Sequence, residues 1–260
     1  MRCHVFTASP HQRVTTSTRQ RYTLLSRHVF ALMTWHVSTV LRYIGTAREA
    51  PRGVAMNICV IARKGGVGKS TASLLIAEAL RQTGKRVAIH DWDDQGTSSR
   101  SSKIAGRELA ETNKQYDFIL YDTPPNLAHL STTTALRHAN VVLVMTTPNA
   151  ADLWEAKDAA DFAIQANPKA ITRVLINKVK KGTLVARTLE EAFKVLQIPI
   201  PALTNQLQDR QVFAHFLTGG WACLDVPAQL QVANLVSEIL TLGYQPTISP
   251  KNQNQEYAEV

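Results

Sequence analysis

Lys64-Gly65-Gly66-Val67-Gly68-Lys69-Ser70-Thr71 lies between an apolar run, Asn57–Ala62, and a stretch, Ser70–Gln82, with Ala72, Leu75, Ile76, Ala79 and Leu80 on one helical face. Strand, glycine-rich turn and helix form the setting in which such an octapeptide binds phosphate. Glycines let the backbone bend until successive N–H groups point at anionic oxygens. The helix N-terminus adds its own attraction for negative charge. Gly65, Gly66 and Gly68 supply the bend, Lys69 is spaced to reach β- and γ-phosphates, and Ser70 is spaced to ligate Mg²⁺. Lys64 is a surplus lysine at the start of the loop, where phosphate binding alone does not require one.

Outward from this loop the pattern is regular. Arg86–His90, Tyr116–Asp122, Asn140–Met145 and Ile171–Asn177 read as further strands. Ala128–Arg137, Ala150–Ala166, Leu184–Leu196, Asp209–Leu217 and Pro227–Leu240 read as helices. Strands apolar on both faces and alternating with helices predict an α/β fold, a mainly parallel sheet flanked by helices on both faces. The regular region spans 56–243, with a polar tail at 244–260.

Residues 1–55 differ. They hold eight arginines, no lysine and one acid, Glu49, so most of the formal charge of +9 belongs to them. Net charge alone is therefore weak evidence for nucleic-acid binding. Leu25, Val29, Leu32, Met33, Val40 and Ile44 fall at rough helical spacing, interrupted by Arg27, His28, His36 and Arg42. Three readings stand: an amphipathic helix on an anionic surface, a partner-docking helix, or an upstream extension from a start codon placed too early, with Met56 as the natural start. Cys3, Cys59 and Cys223 are far apart with no CxxC, which argues against a disulfide framework or zinc site and fits a reducing cytoplasm. No uncharged apolar run is long enough to span a bilayer.

Two acidic groups fall where a parallel sheet presents its ligand edge. Asp122 ends a hydrophobic strand ahead of Thr123-Pro124-Pro125, the position that supplies a carboxylate to the Mg²⁺ shell of phosphate-loop NTPases. Asp91-Trp92-Asp93-Asp94-Gln95-Gly96 follows the second strand. Alternation places Asp91 and Asp93 on one side, so one can support Mg²⁺ and the other can orient an attacking water.

The loop, the Asp-x-Asp-x-Gln-Gly segment and the strand ending in Asp-x-Pro-Pro together resemble the ParA family of deviant Walker-A partition ATPases, within the MinD/ParA class. The likeness runs from about Met56 to Leu240 and is similar to the small plasmid-encoded branch. It implies that Lys64 reaches across an ATP-sandwich homodimer to the partner's phosphates. It implies nucleotide and Mg²⁺ contacts at Val67, Lys69, Ser70 and Thr71, a hydrolytic role for Asp93, a metal-side role for Asp91 and a Walker B role for Asp122. Asn177 and Pro148 fall at the expected adenine edge. Two positions depart from the family pattern: Ala62 replaces a small polar residue and Asp94 replaces a proline.

The resemblance also implies ATP-dependent, sequence-independent DNA binding, hydrolysis stimulated by a ParB-like centromere-binding adaptor, and a cytoplasmic, nucleoid-associated location. Candidate DNA contacts are Lys178, Lys180, Lys181, Arg187 and Arg210, with Arg173 and Lys194 nearby. The alternative is a MinD-like ATPase acting on a membrane surface or a protein cargo. Stable membrane association is not expected, because 244–260 lacks an apolar face. A nitrogenase-like iron protein would need paired cysteines, and a tyrosine autokinase would need a C-terminal tyrosine cluster instead of Tyr244 and Tyr257 alone.

Overall fold

The computed structural model describes residues 55–111, 114–180, 182 and 188–243. The arginine-rich stretch with its candidate helix at 24–45, the polar tail, Lys181 and Arg187 lie outside the described residues. Five strands, β1 (Met56–Ile61), β2 (Val87–Asp91), β3 (Phe118–Asp122), β4 (Val141–Thr146) and β5 (Ile171–Ile176), form one sheet in the order β2-β3-β1-β4-β5. Every pairing is parallel. The helices are α1 (Lys69–Gln82), α2 (Thr97–Ile104), α3 (Leu130–His138), α4 (Ala150–Ala166), α5 (Leu189–Val195), α6 (Val212–Gly219) and α7 (Val226–Gly243).

Alternation along each strand divides the interior into two cores. Ile58, Val60, Phe118, Leu120 and Leu143 face α1, α6 and α7, whereas Cys59, Ile61, Val142, Val144 and Val174 face α3, α4 and α5. Each fully buried Leu, Ile or Val contributes about 1.5–3 kcal/mol by leaving water. The sheet interior is therefore the rigid support for the strand ends. β1 lies between β3 and β4, so the loop after β1 emerges at the middle of the carboxyl edge, where open α/β sheets bind ligands.

α2 has no apolar stripe and is absent from the sequence pattern. Its buried side chains are Ser98, Ser101 and Ser102. Hydroxyls take the place of hydrophobic contacts: Ser98 donates to Asp122 at 2.5 Å and Ser101 to the Leu217 carbonyl at 2.5 Å. The buried Arg107 completes the anchor. It donates to Ser101 Oγ at 2.8 Å and to the Phe216 carbonyl at 3.0 Å, pairs with Glu78 at 3.3 Å, and lies 4.4 Å above the Phe216 ring. One guanidinium thus joins α1, α2 and α6.

A second feature beyond the sequence pattern runs beside β5. Val174 N–H donates to the Pro201 carbonyl, Leu203 N–H to Val174, and Leu207 N–H to Ile176. The prolines at 199 and 201 lack donors, so this arm forms isolated bridges instead of a regular sixth strand. α6 begins at Val212 and not at Asp209, whose N–H bridges to the Val179 carbonyl.

Candidate nucleotide site

A cavity of about 570 Å³ opens at the carboxyl edge between the loop after β1 and the arm beside β5. Gly66 and Gly68 hold φ values of +79° and +97°, a region that glycine occupies without steric cost. A Cβ on Gly68 would collide with Asn177 Nδ2, which donates to the Val67 carbonyl at 2.8 Å. Lys178 Nζ donates to the Gly66 carbonyl at 2.8 Å. Two side chains from the end of β5 thereby hold consecutive loop carbonyls. In trans peptides this turns the N–H groups of Val67 and Gly68 the opposite way.

Lys69 opens α1 and is only 6% exposed. Burial lowers its pKa, while Asp122 and Asp93 favour its charged form. Asp122 is fully buried and its Oδ1 has no hydrogen-bond partner. Burial pushes its pKa up to about 6; the Ser98 and Ser70 hydroxyls restrain the rise and Asp91 adds to it. Asp91 stands opposite Asp122 in the β2–β3 register. Both of its oxygens accept backbone N–H groups, from Asp93 at 3.2 Å and Ser99 at 2.6 Å, so it shapes the 91–99 turn. Asp93 lines the cavity and accepts from Gln95 N–H at 3.0 Å.

These groups fit a nucleotide with Mg²⁺. The orphaned Asp122 oxygen beside Ser70 is a buried acceptor suited to a cation or its water. Among the described residues no group of three or more His, Cys, Asp or Glu side chains can hold a metal ion unaided. Mg²⁺ uses one or two protein carboxylates and takes its other ligands from phosphates and water. Ser70 and Asp122 are the residues that would hold it.

The rim differs from this floor. Lys64 pairs with Asp152 on α4 at 2.6 Å, and Asp152 also accepts from Thr147 Oγ1 at 2.5 Å. The hydrogen bond to Asp152 raises the Lys64 pKa. Burial alone would raise the pKa of Asp152, but Lys64 and Thr147 outweigh it and hold the carboxyl low. Arg63 pairs with Glu155 and Asp158 one and two turns further along the helix.

Residues 58–214 match the CobQ/CobB/MinD/ParA nucleotide binding domain. The chain belongs to that family. It is 25% identical over 210 residues to the maintenance of carboxysome distribution protein A of Halothiobacillus neapolitanus, covering 72% of this chain and 95% of that protein. The fold is similar to that of cobyrinic acid a,c-diamide synthase from Mycobacterium smegmatis with bound ADP and magnesium, with a TM-score of 0.56, 16% identity and coverage of 72% and 94%. It is also similar to a plasmid partition protein from Borrelia burgdorferi, with a TM-score of 0.50, 16% identity and coverage of 70% and 98%.

Among the other sequence-derived candidates, Gly65, Ser70, Thr71 and Asn177 line the cavity. Pro148 lies in the turn between β4 and α4 and is not among the lining residues. The basic set is dispersed. Lys178 and Arg210 line the nucleotide cavity, Lys180 is 3.7 Å from Asp209, and Arg210 Nη2 donates to both oxygens of Asp225 at 2.6 and 2.8 Å. Asp152 and Ser98 escape sequence reading. An acid in a first helical turn is ordinary dipole compensation, and a serine after a glycine reads as loop.

Proposed function

We propose that the protein is an ATPase that dimerises on ATP, binds DNA without sequence preference and positions a DNA or protein cargo. The supporting observation is the division between floor and rim. Lys69 and Asp122 are buried with half-buried Ser70 beside them, an arrangement suited to phosphate and Mg²⁺, and Lys64 is carried outside it on the same loop. Lys69 and the loop N–H groups would bind the phosphates, and Asp93, at the cavity wall, would orient the attacking water. Bound Mg²⁺ would supply neutralisation of the phosphate oxygens. Lys64 would leave Asp152 and complete the partner's site, which makes dimerisation a condition of turnover.

The relative that maintains carboxysome distribution supports a protein cargo, and the plasmid partition fold neighbour supports a DNA cargo. Either use is compatible with DNA as the surface travelled. Lys180, with its side chain 72% exposed, and the exposed Lys194 on α5 are the described candidates for phosphate contact. Such contacts are individually weak and add through counterion release, so doubling the patch in a dimer strengthens binding steeply. A ParB-like adaptor that triggers hydrolysis would release the dimer, in a cytoplasmic, nucleoid-associated cycle.

Retention on non-specific duplex DNA tests this function. Retention should require ATP, fall steeply with salt, and persist in Asp93→Ala, which binds ATP but does not hydrolyse it. Nucleotide-independent or salt-insensitive retention would overturn the switch.

A further inference from the structure

Lys178 opens the basic stretch 178–181, and by composition belongs to a solvated or nucleic-acid-binding surface. Its conformation indicates another role. Its φ of +57° is one of two positive values among the described non-glycine residues. Lysine, unlike Asn or Gly, has no local compensation for that region. What the conformation achieves is contact with the phosphate loop: Nζ reaches the Gly66 carbonyl at 2.8 Å, and the residue lines the cavity together with Asn177, Leu207 and Gln208.

We propose that Lys178 is a positioning residue of the nucleotide site, its ammonium fixing the Gly66 carbonyl and its alkyl stem walling the cavity end beside the 207–211 arm. The inference rests on the nucleotide reading of the cavity. Two neighbouring carbonyls of the loop are then fixed by two neighbouring side chains, Asn177 on Val67 and Lys178 on Gly66. Fixing both peptide planes aims the N–H groups of Val67 and Gly68 before any phosphate arrives, so ordering the loop costs less at binding. The stem lines the cavity together with Leu207, where it offers apolar surface to a nucleotide whose phosphates occupy the loop. The same ammonium helps hold Asp152 ionised, which places Lys178 between the loop and the acid that pairs with Lys64.

The test uses the full chain with ADP as the probe, in Lys178→Gly and Lys178→Arg. Glycine accepts φ +57° without steric cost, so the unfolding midpoint without nucleotide should stay at the wild-type value. ADP affinity should fall about tenfold, the size of one lost charge-assisted hydrogen bond. Lys178→Arg, which keeps a long stem and a donor, should restore affinity to within about threefold. Unchanged ADP affinity in Lys178→Gly would overturn the proposal, as would a loss that tracks a lowered unfolding midpoint. Loss of DNA retention with ADP affinity intact would return Lys178 to the surface role. A wild-type chain that fails to bind ADP would sink the nucleotide reading itself, and this inference with it.

Discussion

The two lysines of the phosphate loop occupy opposite surroundings. Lys69 is buried on the cavity floor beside Asp122, whose Oδ1 has no partner. Lys64 is on the rim with its side chain 52% exposed and is already neutralised by Asp152. Burial leaves one floor oxygen, Asp122 Oδ1, without a partner in the chain, at a cost to the protein without ligand. The rim has its charges satisfied within the chain, so whatever uses Lys64 must exchange one ion pair for another. Floor residues should therefore govern nucleotide binding and stability, and rim residues should govern association.

The largest expected effect is at Asp122. Burial pushes its folded pKa up from the ordinary 3.8 to about 6, so the protonated form favours folding. That contribution is complete below pH 4 and is lost as pH rises through 6. At pH 7.5 the shift corresponds to about 3 kcal/mol of destabilisation. Asp122→Asn should raise the stability of the nucleotide-free protein by up to that amount in denaturant titration, with the gain vanishing toward pH 4. It should also abolish Mg²⁺-dependent hydrolysis. A variant no more stable at pH 7.5 would show that the floor is better solvated than its burial indicates.

Lys64→Ala should leave ADP affinity within about threefold, since an exposed rim charge contributes little to a neighbouring site. ATP-dependent dimerisation should weaken by at least about thirtyfold, because a charge buried against a partner's phosphates is costly to remove. Sedimentation with a non-hydrolysable ATP analogue reads the second effect, and an intact dimer would erase the distinction between the two lysines. The smallest effect belongs to Asp152→Asn. Releasing Lys64 from its resting pair should tighten the ATP dimer by about two- to fivefold, within the range of partly exposed ion pairs. A weaker dimer would instead make Asp152 part of the association surface.

The β-strands and the loop were legible because their burial is written in apolar side chains and glycines. Asn57–Ala62 and Ser70–Gln82 need only one shift each to become β1 and α1. Asp91, Asp93 and Asp122 were legible because strand ends face the ligand edge in any parallel sheet. α2 was not, because its buried face is made of serines, of which Ser98 is bonded to Asp122 and Ser101 to the Leu217 carbonyl, residues distant in sequence. The 201–209 arm was hidden by prolines that forbid a ladder yet allow bridges. Lys178 and Arg210 read as surface cations because composition cannot reveal a positive φ or a carboxylate partner fifteen residues away.

Arg107 gives α2 a consequence for cooperativity. Its guanidinium is bonded simultaneously to Glu78 of α1, to Ser101 of α2 and to the Phe216 carbonyl of α6. Withdrawing any one helix would leave a buried cation short of acceptors, a penalty far exceeding the loss of a single hydrogen bond. The three helices are therefore coupled as one all-or-none block. The same guanidinium thus ties α2, which starts at the end of the Asp91–Gly96 turn, to α6, whose Phe213 and Leu217 line the nucleotide cavity.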